Sequence, residues 1–571
     1  MRPLFRLAAL AVLLLSSCYP PGDGKPPPLD EVYFPTGLAI DDPRQVDPES
    51  KEAAKFLYVV NSDFDLQYRS ASVISYDLDK LRNVVPFGCK TNDDCADRPY
   101  GRTVCDSPAG TPIDAAKPSY FCVGEGQPDP CSGLGERDAA DRVLYPGRCG
   151  QLQPKDADPE RNFYVSAVGI GAFATDVIWQ KDKATEKERL FIPVRGDSTL
   201  HWIDVQSDGT FYCGQNSNED GNCDAKHRAG YDKADNLDSL RQPPEPYAVD
   251  ATGSGEYIAL TNQTQGSVSL FTNDWTSPDG PKLVSILGNL PLGPVALAAL
   301  PQPEYADPNV KWAPGFLVGY RTAAQIDLLR VRDDGPTPFI PPGDRASANY
   351  NRFALQRTAS VPINPNSTGF DSRGIAIDDR QRQRDYANCK VDVGEKCASD
   401  PNPLQCCYRA VHQPDVFVAS RAPASLLVGA MTADPNYLSG TSELPSFTNS
   451  IALTFGPSRV IVGEVRVPAE PGSTPDGDDR GPYKLERRIF IVCFDSRRIY
   501  VYDPKRGAIE ATISTGRGPY ALAVDGARGL AYLGHFTDSY LAVVSLDQRF
   551  PQTYAAIVAS IGTPKAPRSS K

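Results

Sequence analysis

Four histidines are the side chains of this sequence best suited to acid–base or metal chemistry near neutral pH: His201, His227, His412 and His535. They lie far apart along the chain, so we interpret them as isolated surface or core residues, while a central site shared by His201 and His535 stays open. The sequence has no G-x-S-x-G elbow, H-E-x-x-H pair, P-loop or G-x-G-x-x-G after a strand. No catalytic residue is predicted, and the residues favour a protein that is not an enzyme.

One loop has the spacing of a calcium site. Asn216, Asn218 and Asp220, followed by Gly221, match positions 1, 3, 5 and 6 of a calcium-binding loop. Position 12 falls on His227, where the complete shell needs a bidentate Glu. We interpret the segment as a polar loop closed by a disulfide, with weak calcium binding as the alternative, and predict no other cofactor.

The 14 cysteines predict a disulfide framework. Zinc is the rival interpretation, but the spacings are irregular, C-x-x-C is absent and histidine is scarce. Cys493 lies in an apolar strand and is predicted to be an unpaired buried thiol. Six cysteines fall in one Asp-, Gly- and Pro-rich segment and allow 15 pairings, two bracket a short loop, and four fall in a second segment. These disulfide candidates are Cys89, Cys95, Cys105, Cys122, Cys131 and Cys149, then Cys213 and Cys223, then Cys389, Cys397, Cys406 and Cys407.

The N-terminus has the form of an export signal. Arg2 and Arg6 precede an apolar run over residues 7–15, which is much shorter than the roughly 20 residues that span a bilayer. The sequence Leu-Ser-Ser-Cys that ends at Cys18 resembles the lipobox of bacterial lipoproteins. The resemblance implies cleavage after residue 17, acylation of Cys18 and anchoring in a membrane by the acyl chains. Tyr19 stands where an Asp would imply retention in the inner membrane, so the same resemblance implies the outer membrane.

A recurring unit of four short strands predicts the fold. It is clearest over residues 518–561, where the strands GPYALAVD, GLAYL, YLAVVSL and YAAIVASI are separated by turn signals. Related openings are PTGLAID from residue 35, PYAVD from residue 246 and RGIAID from residue 373. One such sheet cannot bury both of its faces alone, whereas a ring of sheets can. We therefore predict an all-β propeller of about seven four-stranded blades; six or eight blades, or a propeller with a small β domain, stay open.

The opening G/P-x-A-[LIV]-x-[LIV]-D, followed by a strand such as YVVN at residues 58–61, resembles the YVTN and NHL group of bacterial propellers. The likeness covers most of residues 30–562. The Asp that ends the first strand of several units is interpreted as a turn residue rather than a ligand. Two units are weak, and their strands are assigned to residues 172–179, 189–194 and 199–205 in blade two and to residues 294–300, 315–320 and 324–331 in blade four.

The predicted organisation has four parts, with two insertions inside the third. Residues 1–17 are the signal peptide, residues 18–29 a lipidated, Pro-rich tether, residues 30–562 the propeller and residues 563–571 a disordered tail. The tether, at about 3.1 Å per residue, would hold the domain about 30 Å from the membrane. A Cys-rich insertion at residues 88–150 is placed between blades one and two, and a second insertion at residues 380–412 is placed inside blade five.

The formal net charge is −12 and no basic stripe is present, so nucleic acid is not an expected partner. The large insertions favour a lipid-anchored module of the cell envelope that binds, or acts as a scaffold for, a protein or glycan partner. The alternative is a propeller enzyme of the lactonase or quinoprotein-dehydrogenase type, and a purely structural envelope component is a third possibility. Such an enzyme would need a metal cluster or tryptophan-lined cofactor packing at the channel, but the four tryptophans, Trp179, Trp202, Trp275 and Trp312, have no regular spacing.

Overall fold

A computed structural model describes most of the chain. The described residues are 25–45, 52–85, 151–214, 221–301, 314–332, 354–363, 370–391, 413–432, 444–469 and 481–563, without residues 254 and 552, together with 104–106, 121–123, 476–478 and a few single positions.

Seven antiparallel sheets of four main strands form a closed ring. The first strand of each sheet contacts the first strands of both neighbouring sheets, so the seven first strands surround a central channel. The predicted all-β propeller with seven blades is thereby confirmed. Outside the first strand, each blade runs outward to its second, third and fourth strands.

The first three blades contain these strands, in order from the channel outward. Blade one contains Pro35–Ile40, Phe56–Asn61, Ala71–Asp77 and Tyr164–Ile170; blade two contains Ile178–Lys181, Glu188–Val194, Thr199–Val205 and Phe211–Tyr212, with Arg228–Ala229 on its third strand; blade three contains Pro246–Ala251, Tyr257–Asn262, Ser267–Thr272 and Lys282–Leu287.

The other four blades repeat this order. Blade four contains Pro294–Ala299, Gly315–Tyr320, Gln325–Arg332 and Ala354–Pro362; blade five contains Phe370–Asp378, Asp415–Ala422, Ala424–Thr432 and Leu444–Ala452; blade six contains Pro457–Pro468, Gly481–Cys493, Arg498–Asp503 and Ala508–Ser514, with Asp476–Asp478 on its second strand; blade seven contains Pro519–Asp525, Leu530–His535, Tyr540–Ser545 and Ala556–Ile561. Gln151–Leu152 adds a short parallel strand outside blade seven.

The second strands show why the sequence forms blades. In Phe56–Asn61, Leu57 and Val59 are buried against blade seven, while Tyr58 and Val60 are buried against blade two. Alternate side chains of a strand point to opposite faces of its sheet. Because neighbouring blades cover both faces of this sheet, almost every side chain of the strand is apolar.

The position expected for the Cys-rich insertion is wrong. The third strand of blade one pairs with Tyr164–Ile170, so residues 88–150 interrupt blade one instead of separating it from blade two. The long segment hides the fourth strand from any search for regular spacing. Residues 380–412 fall between the first two strands of blade five.

Helices are few in the described chain. Leu78–Val84 follows the third strand of blade one, and the carboxylate of Asp77 caps it by accepting hydrogen bonds from the amides of Asp79 and Lys80. Arg380–Val391 follows the first strand of blade five. The three described 3-10 turns are Pro43–Gln45, Ala225–His227 and Leu237–Ser239. None of the described helices has the length and apolar character needed to cross a membrane.

A disulfide joins Cys213 and Cys223, as the sequence predicts. Cys89 and Cys389 are also disulfide-bonded, and Cys493 is a buried free thiol. Cys105 and Cys122 face each other across a two-stranded sheet formed by Val104–Asp106 and Phe121–Val123. The other predicted disulfide cysteines, Cys95, Cys131, Cys149, Cys397, Cys406 and Cys407, lie outside the described residues, as do Cys18 and residues 1–24 and 564–571.

Candidate functional site

The channel has a distinct mouth at the end where the first strands begin. In six blades the pairing of the first strand with the second shifts there by one residue, which marks a β-bulge. Bulges redirect a side chain, and they recur beside functional sites. The residues at this position are Thr36, Tyr247, Val295, Arg373, Ser458 and Tyr520, with Thr175 at the corresponding position of blade two.

Two positions before each of these residues, the backbone has a positive φ in every blade. Glycine occupies that position in three blades, but blades one and two place Phe34 and Phe173 there, with φ values of 44° and 59°. A bulky side chain is strained in this region, and such strain persists where surrounding structure enforces it, often at functional sites. The seven residues are Phe34, Phe173, Glu245, Gly293, Asp371, Gly456 and Gly518.

A cavity of about 340 Å³ lies at the mouth. It is the size of a small-molecule site. Residues from six of the seven blades line it. They come from the bulges of the first strands and from the turns that follow the second strands, so the repeat itself brings together side chains that are distant in sequence.

One side of the mouth is aromatic. Phe64 of blade one has its ring centroid 5.2 Å from that of Phe536 of blade seven and 6.1 Å from that of Phe173. Phe494 of blade six continues the group, 6.4 Å from Tyr520. The ring of Phe64 is 53% exposed. This aromatic side offers flat apolar surface to a ring or an alkyl chain.

Three arginines also line the mouth. Arg373 and Arg421 belong to blade five, on the other side from these rings, whereas Arg195 belongs to blade two and lies beside Phe173. Each has a carboxylate nearby: Arg195 lies 2.9 Å from Glu245, Arg373 lies 2.6 Å from Asp371, and Arg421 pairs with Asp495.

These carboxylates position the arginines without using all of their donors, since a guanidinium has five N–H groups. The Nε of Arg195 is buried and has no hydrogen-bond partner among the described residues. An anionic ligand could therefore be held by arginine donors that are already oriented.

Two contacts across the channel lie below the cavity, around a smaller space of about 90 Å³ that shares Tyr247 and Tyr520 with it, and we call them the floor. Arg459 of blade six lies 2.8 Å from the carboxylate of Asp176 in blade two and stacks 4.8 Å from the ring centre of Tyr520. The hydroxyls of Tyr520 and Tyr247 lie 2.9 Å apart and join blade seven to blade three.

Burial alone would lower the pKa of Arg459, but the Asp176 carboxylate raises it above its usual value. Burial also raises the pKa of Tyr520. At neutral pH the floor therefore holds a charged Arg459 and a neutral Tyr520.

A second large cavity, of about 430 Å³, lies between blades one and two. It is on the face of the propeller opposite the mouth, which we call the far face. Its polar groups already bind one another. Lys181 lies 2.7 Å from Glu186, Trp179 donates a hydrogen bond to Glu188, and Asp41 accepts hydrogen bonds from the amides of Lys55 and Phe56. Burial raises the pKa of Asp41 to about 7. The mouth is the better candidate because its arginines retain free donors beside exposed aromatic rings.

None of the three described histidines lines the mouth cavity. His201 is buried beside Asp197 at 3.0 Å, and His227 stacks on Trp202 and lies 2.7 Å from Asp224. His535 accepts a hydrogen bond from the amide of Gly516 and stacks on Tyr540. Burial lowers the pKa of His227, and it lowers that of His535 to about 3. The shared site of His201 and His535 is not formed, and His412 lies outside the described residues.

Asp525, which ends the first strand of blade seven, serves as a turn residue, as predicted, because its carboxylate accepts a hydrogen bond from the amide of Arg528. Asp250 instead joins two blades, because its carboxylate accepts hydrogen bonds from the amide of Ala251 and from that of Ala299 in blade four. The calcium candidates Asn216, Asn218 and Asp220 lie outside the described residues. Within the described ranges no group of three or more His, Cys, Asp or Glu could hold a metal ion.

The tryptophans do not build a cofactor site in the described channel. Trp179 lies in the far-face cavity, Trp202 is buried between blades two and three, and Trp275 is buried close to Lys187. Trp312 lies outside the described residues.

Sequence reasoning missed the mouth residues. The signal was present in the repeat, because the residue that directly follows the second-strand partner of each bulge occupies the same place around the ring. In blade five this residue still belongs to the strand Asp415–Ala422. Read in blade order, these residues are Ser62, Arg195, Gln263, Arg321, Arg421, Phe494 and Phe536. Arginines occupy this position in blades two, four and five and phenylalanines occupy it in blades six and seven, and an alignment of the blades would have shown this division.

No protein-family model matches this chain, and no curated protein matches it. Among solved structures, a protein from Lactobacillus plantarum is similar at 10% identity and a TM-score of 0.41, over 85% of this chain and 86% of that chain. A putative 6-phosphogluconolactonase from Bacteroides uniformis and the periplasmic gluconolactonase of Pseudomonas aeruginosa are each 11% identical, with TM-scores of 0.38 over the same shares. Likenesses at this level carry no conclusion about activity.

Proposed function

We propose that this protein is a lipid-anchored binding module of the cell envelope whose ligand site is the channel mouth. The ligand has an anionic group beside an apolar or ring-shaped part. The observation that supports this proposal is the division of the mouth, with aromatic rings of blades six, seven, one and two on one side and Arg373 and Arg421 of blade five on the other.

The two sides recognise different parts of one molecule. Charge-assisted hydrogen bonds from arginine hold a carboxylate or phosphate, and an aromatic face stacks on a sugar ring or packs on an alkyl chain. An acidic sugar and an acyl carboxylate share this chemistry. A glycan partner or a lipid therefore fits the mouth better than a neutral, fully polar molecule does.

Calorimetric titration with matched ligands tests the proposal. The panel contains a hexuronate with its neutral hexose, and a fatty acid with its fatty alcohol. One anionic member is expected to bind at least about tenfold more tightly than its neutral partner, the factor that a single charged hydrogen bond supplies. Binding is expected to weaken in Arg373→Gln and in Phe536→Ala. Equal binding of anionic and neutral partners, or no binding by any member, would contradict the proposal.

The matched control is Arg506→Gln. Arg506 is an exposed arginine between the third and fourth strands of blade six, away from the mouth. It is expected to leave binding unchanged, which separates a local effect of Arg373 from a change in overall charge.

The anchor is part of the same proposal. Cleavage before Cys18, acylation of its thiol and residence at the outer membrane follow from the lipobox-like sequence. We also propose that the blades belong with the YVTN and NHL type of repeat. Mass spectrometry of the N-terminal peptide from native protein tests the anchor, and an unmodified Cys18 would contradict it.

Lactonase-type hydrolysis is the second candidate, and Asp495 is the observation that favours it. Asp495 lines the mouth cavity beside Arg421. Its carboxylate could take a proton from water as the water oxygen attacks a lactone carbonyl, and the ring C–O bond would then break to give a hydroxy acid. Arg421 would stabilise the oxyanion. Turnover of an aldonolactone that is lost in Asp495→Asn would establish this function, and absence of turnover across a lactone panel would exclude these substrates.

A further inference from the structure

We propose that the mouth face of the propeller is a membrane-docking surface that lies against anionic phospholipid. The inference rests on the proposed acylation of Cys18. It goes beyond that anchor because it assigns the side of the disk that meets the bilayer and the side chains that make contact.

The described chain joins the propeller on the mouth face. Lys25 forms a parallel bridge with Tyr68, and its carbonyl accepts a hydrogen bond from the amide of Arg69. Both partners belong to the turn between the second and third strands of blade one, and such turns lie at the mouth. The anchored chain therefore leaves the disk beside the channel opening.

The tether is short compared with the height of the disk. Lys25 lies seven positions after Cys18, and a fully extended chain covers about 3.5 Å per residue, so the reach is about 25 Å at most. A blade strand of six or seven residues is already about 20 Å long. The far face also carries the connections that lead into both Cys-rich insertions, at the ends of Ala71–Asp77 and Phe370–Asp378. A membrane plane at the mouth face leaves the tether slack, whereas one at the far face would need an almost fully extended tether that also passes these connections.

Exposed apolar side chains are concentrated on the same face. Seven large apolar residues are markedly exposed in the described chain, and five of them lie in mouth-face turns or connections. The other two, Tyr212 and Tyr231, are on blade two away from the channel. The five are Phe64 and Leu66 in blade one, Leu292 before blade four, Phe370 at the start of blade five and Phe455 before blade six.

These side chains are spread around the ring, so they define a plane and not a single groove. Leu292 is 58% exposed and Phe455 is 68% exposed. Phenylalanine and leucine enter the boundary between headgroups and acyl chains when a protein lies on a bilayer. A face that exposes apolar side chains at several points around the ring of blades is suited to contact with a lipid bilayer.

The charge on this face also suits anionic lipid, although the whole chain is acidic. Arg69, Arg321 and Arg497 are exposed in mouth-face turns of blades one, four and six, and none has an ion-pair partner among the described residues. The aliphatic part of an arginine side chain can lie along an apolar surface while its guanidinium group contacts the phosphate of a lipid headgroup. Among the acidic residues of this face, Glu245, Asp495 and Asp538 are already paired with arginines. In the blade-one turn Asp63 is buried, and Asp65 accepts a hydrogen bond from the amide of Gln67. In this orientation the mouth cavity opens onto the headgroup layer.

Hydrogen–deuterium exchange of the acylated full chain on phosphatidylethanolamine–phosphatidylglycerol vesicles tests the inference. The reference is the Cys18→Ala chain in buffer. The turns at residues 62–70, 288–293 and 453–456 are expected to exchange about tenfold more slowly on vesicles, the factor that one buried large apolar side chain supplies. The far-face turns at residues 206–210 and 526–529 are expected to exchange at unchanged rates.

Paired variants make the test specific. Leu292→Ser with Phe455→Ser is expected to remove most of the protection, whereas Tyr212→Ser with Tyr231→Ser is expected to keep it. Protection of the far face, protection of neither face, or a double Leu292/Phe455 variant that remains fully protected would overturn the inference. An unacylated Cys18, seen by mass spectrometry, would also overturn it, and calorimetric titration of the mouth separates that result from failure of the ligand site.

Discussion

Arg459 in blade six lies 2.8 Å from the carboxylate of Asp176 in blade two, although 283 positions separate the two residues in the sequence. The contact crosses the channel below the mouth cavity and lines the smaller space that adjoins it. Arg459 also donates a hydrogen bond to the carbonyl of Thr36 in blade one, so a single side chain joins three blades.

Arg459→Met is expected to lower the free energy of unfolding by about 3 kcal/mol, because the substitution leaves Asp176 partly buried without its counter-ion. Urea denaturation measures the change. The double variant Arg459→Met with Asp176→Leu is expected to recover most of the loss. Arg421→Met, which breaks the more exposed pair with Asp495, is expected to cost less than about 1 kcal/mol. Equal losses in Arg459→Met and Arg421→Met would contradict the role given to the floor.

Phe173 is expected to show a conflict between stability and binding. Its φ of 59° favours glycine, so Phe173→Gly should be more stable than Phe173→Ala by about 1 kcal/mol. Both variants lose the ring that contacts Phe64, and both are expected to bind the anionic ligand more weakly. Thermal unfolding and calorimetry give the two quantities. An alanine variant that is as stable as the glycine variant would show that the position is not strained.

His535 is expected to lower stability at acid pH. Burial holds its pKa at about 3, whereas its usual value is 6.5. Between these values the unfolded chain binds a proton that the folded chain does not, so stability falls as the pH falls, by up to about 1.4 kcal/mol per pH unit. His535→Gln keeps an acceptor for the Gly516 amide and removes this dependence. Urea midpoints of both proteins from pH 7 to pH 4 check the result, and parallel curves would contradict it.

Asp41 is expected to act with the opposite sign. Burial raises its pKa from 3.8 to about 7, so the folded chain keeps a proton that the unfolded chain releases, and stability falls as the pH rises through this range. Asp41→Asn retains an oxygen acceptor for the amides of Lys55 and Phe56. At pH 8 it is expected to be more stable than the wild type by about 2 kcal/mol or more. Asp232→Asn, at an exposed position, is the control, and a similar gain in both variants would defeat the explanation.

The repeat was predictable because each blade carries its own local pattern. Strands such as Tyr257–Asn262 and Tyr540–Ser545 are mostly apolar and wholly buried, since neighbouring blades cover both faces of their sheets. Blade six shows the limit of this pattern. Its first strand, Pro457–Pro468, mixes charged residues such as Glu464 and Arg466 with apolar ones, and its sequence alone did not identify it as a strand.

The candidate site was not predictable in the same way. Its members, including Phe64, Arg373 and Tyr520, are single residues in separate repeats, and only closure of the ring brings them together. Their roles depend on which side of the channel each blade occupies, and a motif within one blade does not contain that information.

The most direct measurement is a crystal structure of the protein with the tightest-binding member of the ligand panel. We expect the anionic group to lie within about 3 Å of an Arg373 or Arg421 guanidinium nitrogen, with the apolar part of the ligand against Phe536. A ligand bound in the far-face cavity between blades one and two, or anywhere else outside the mouth, would contradict the central claim.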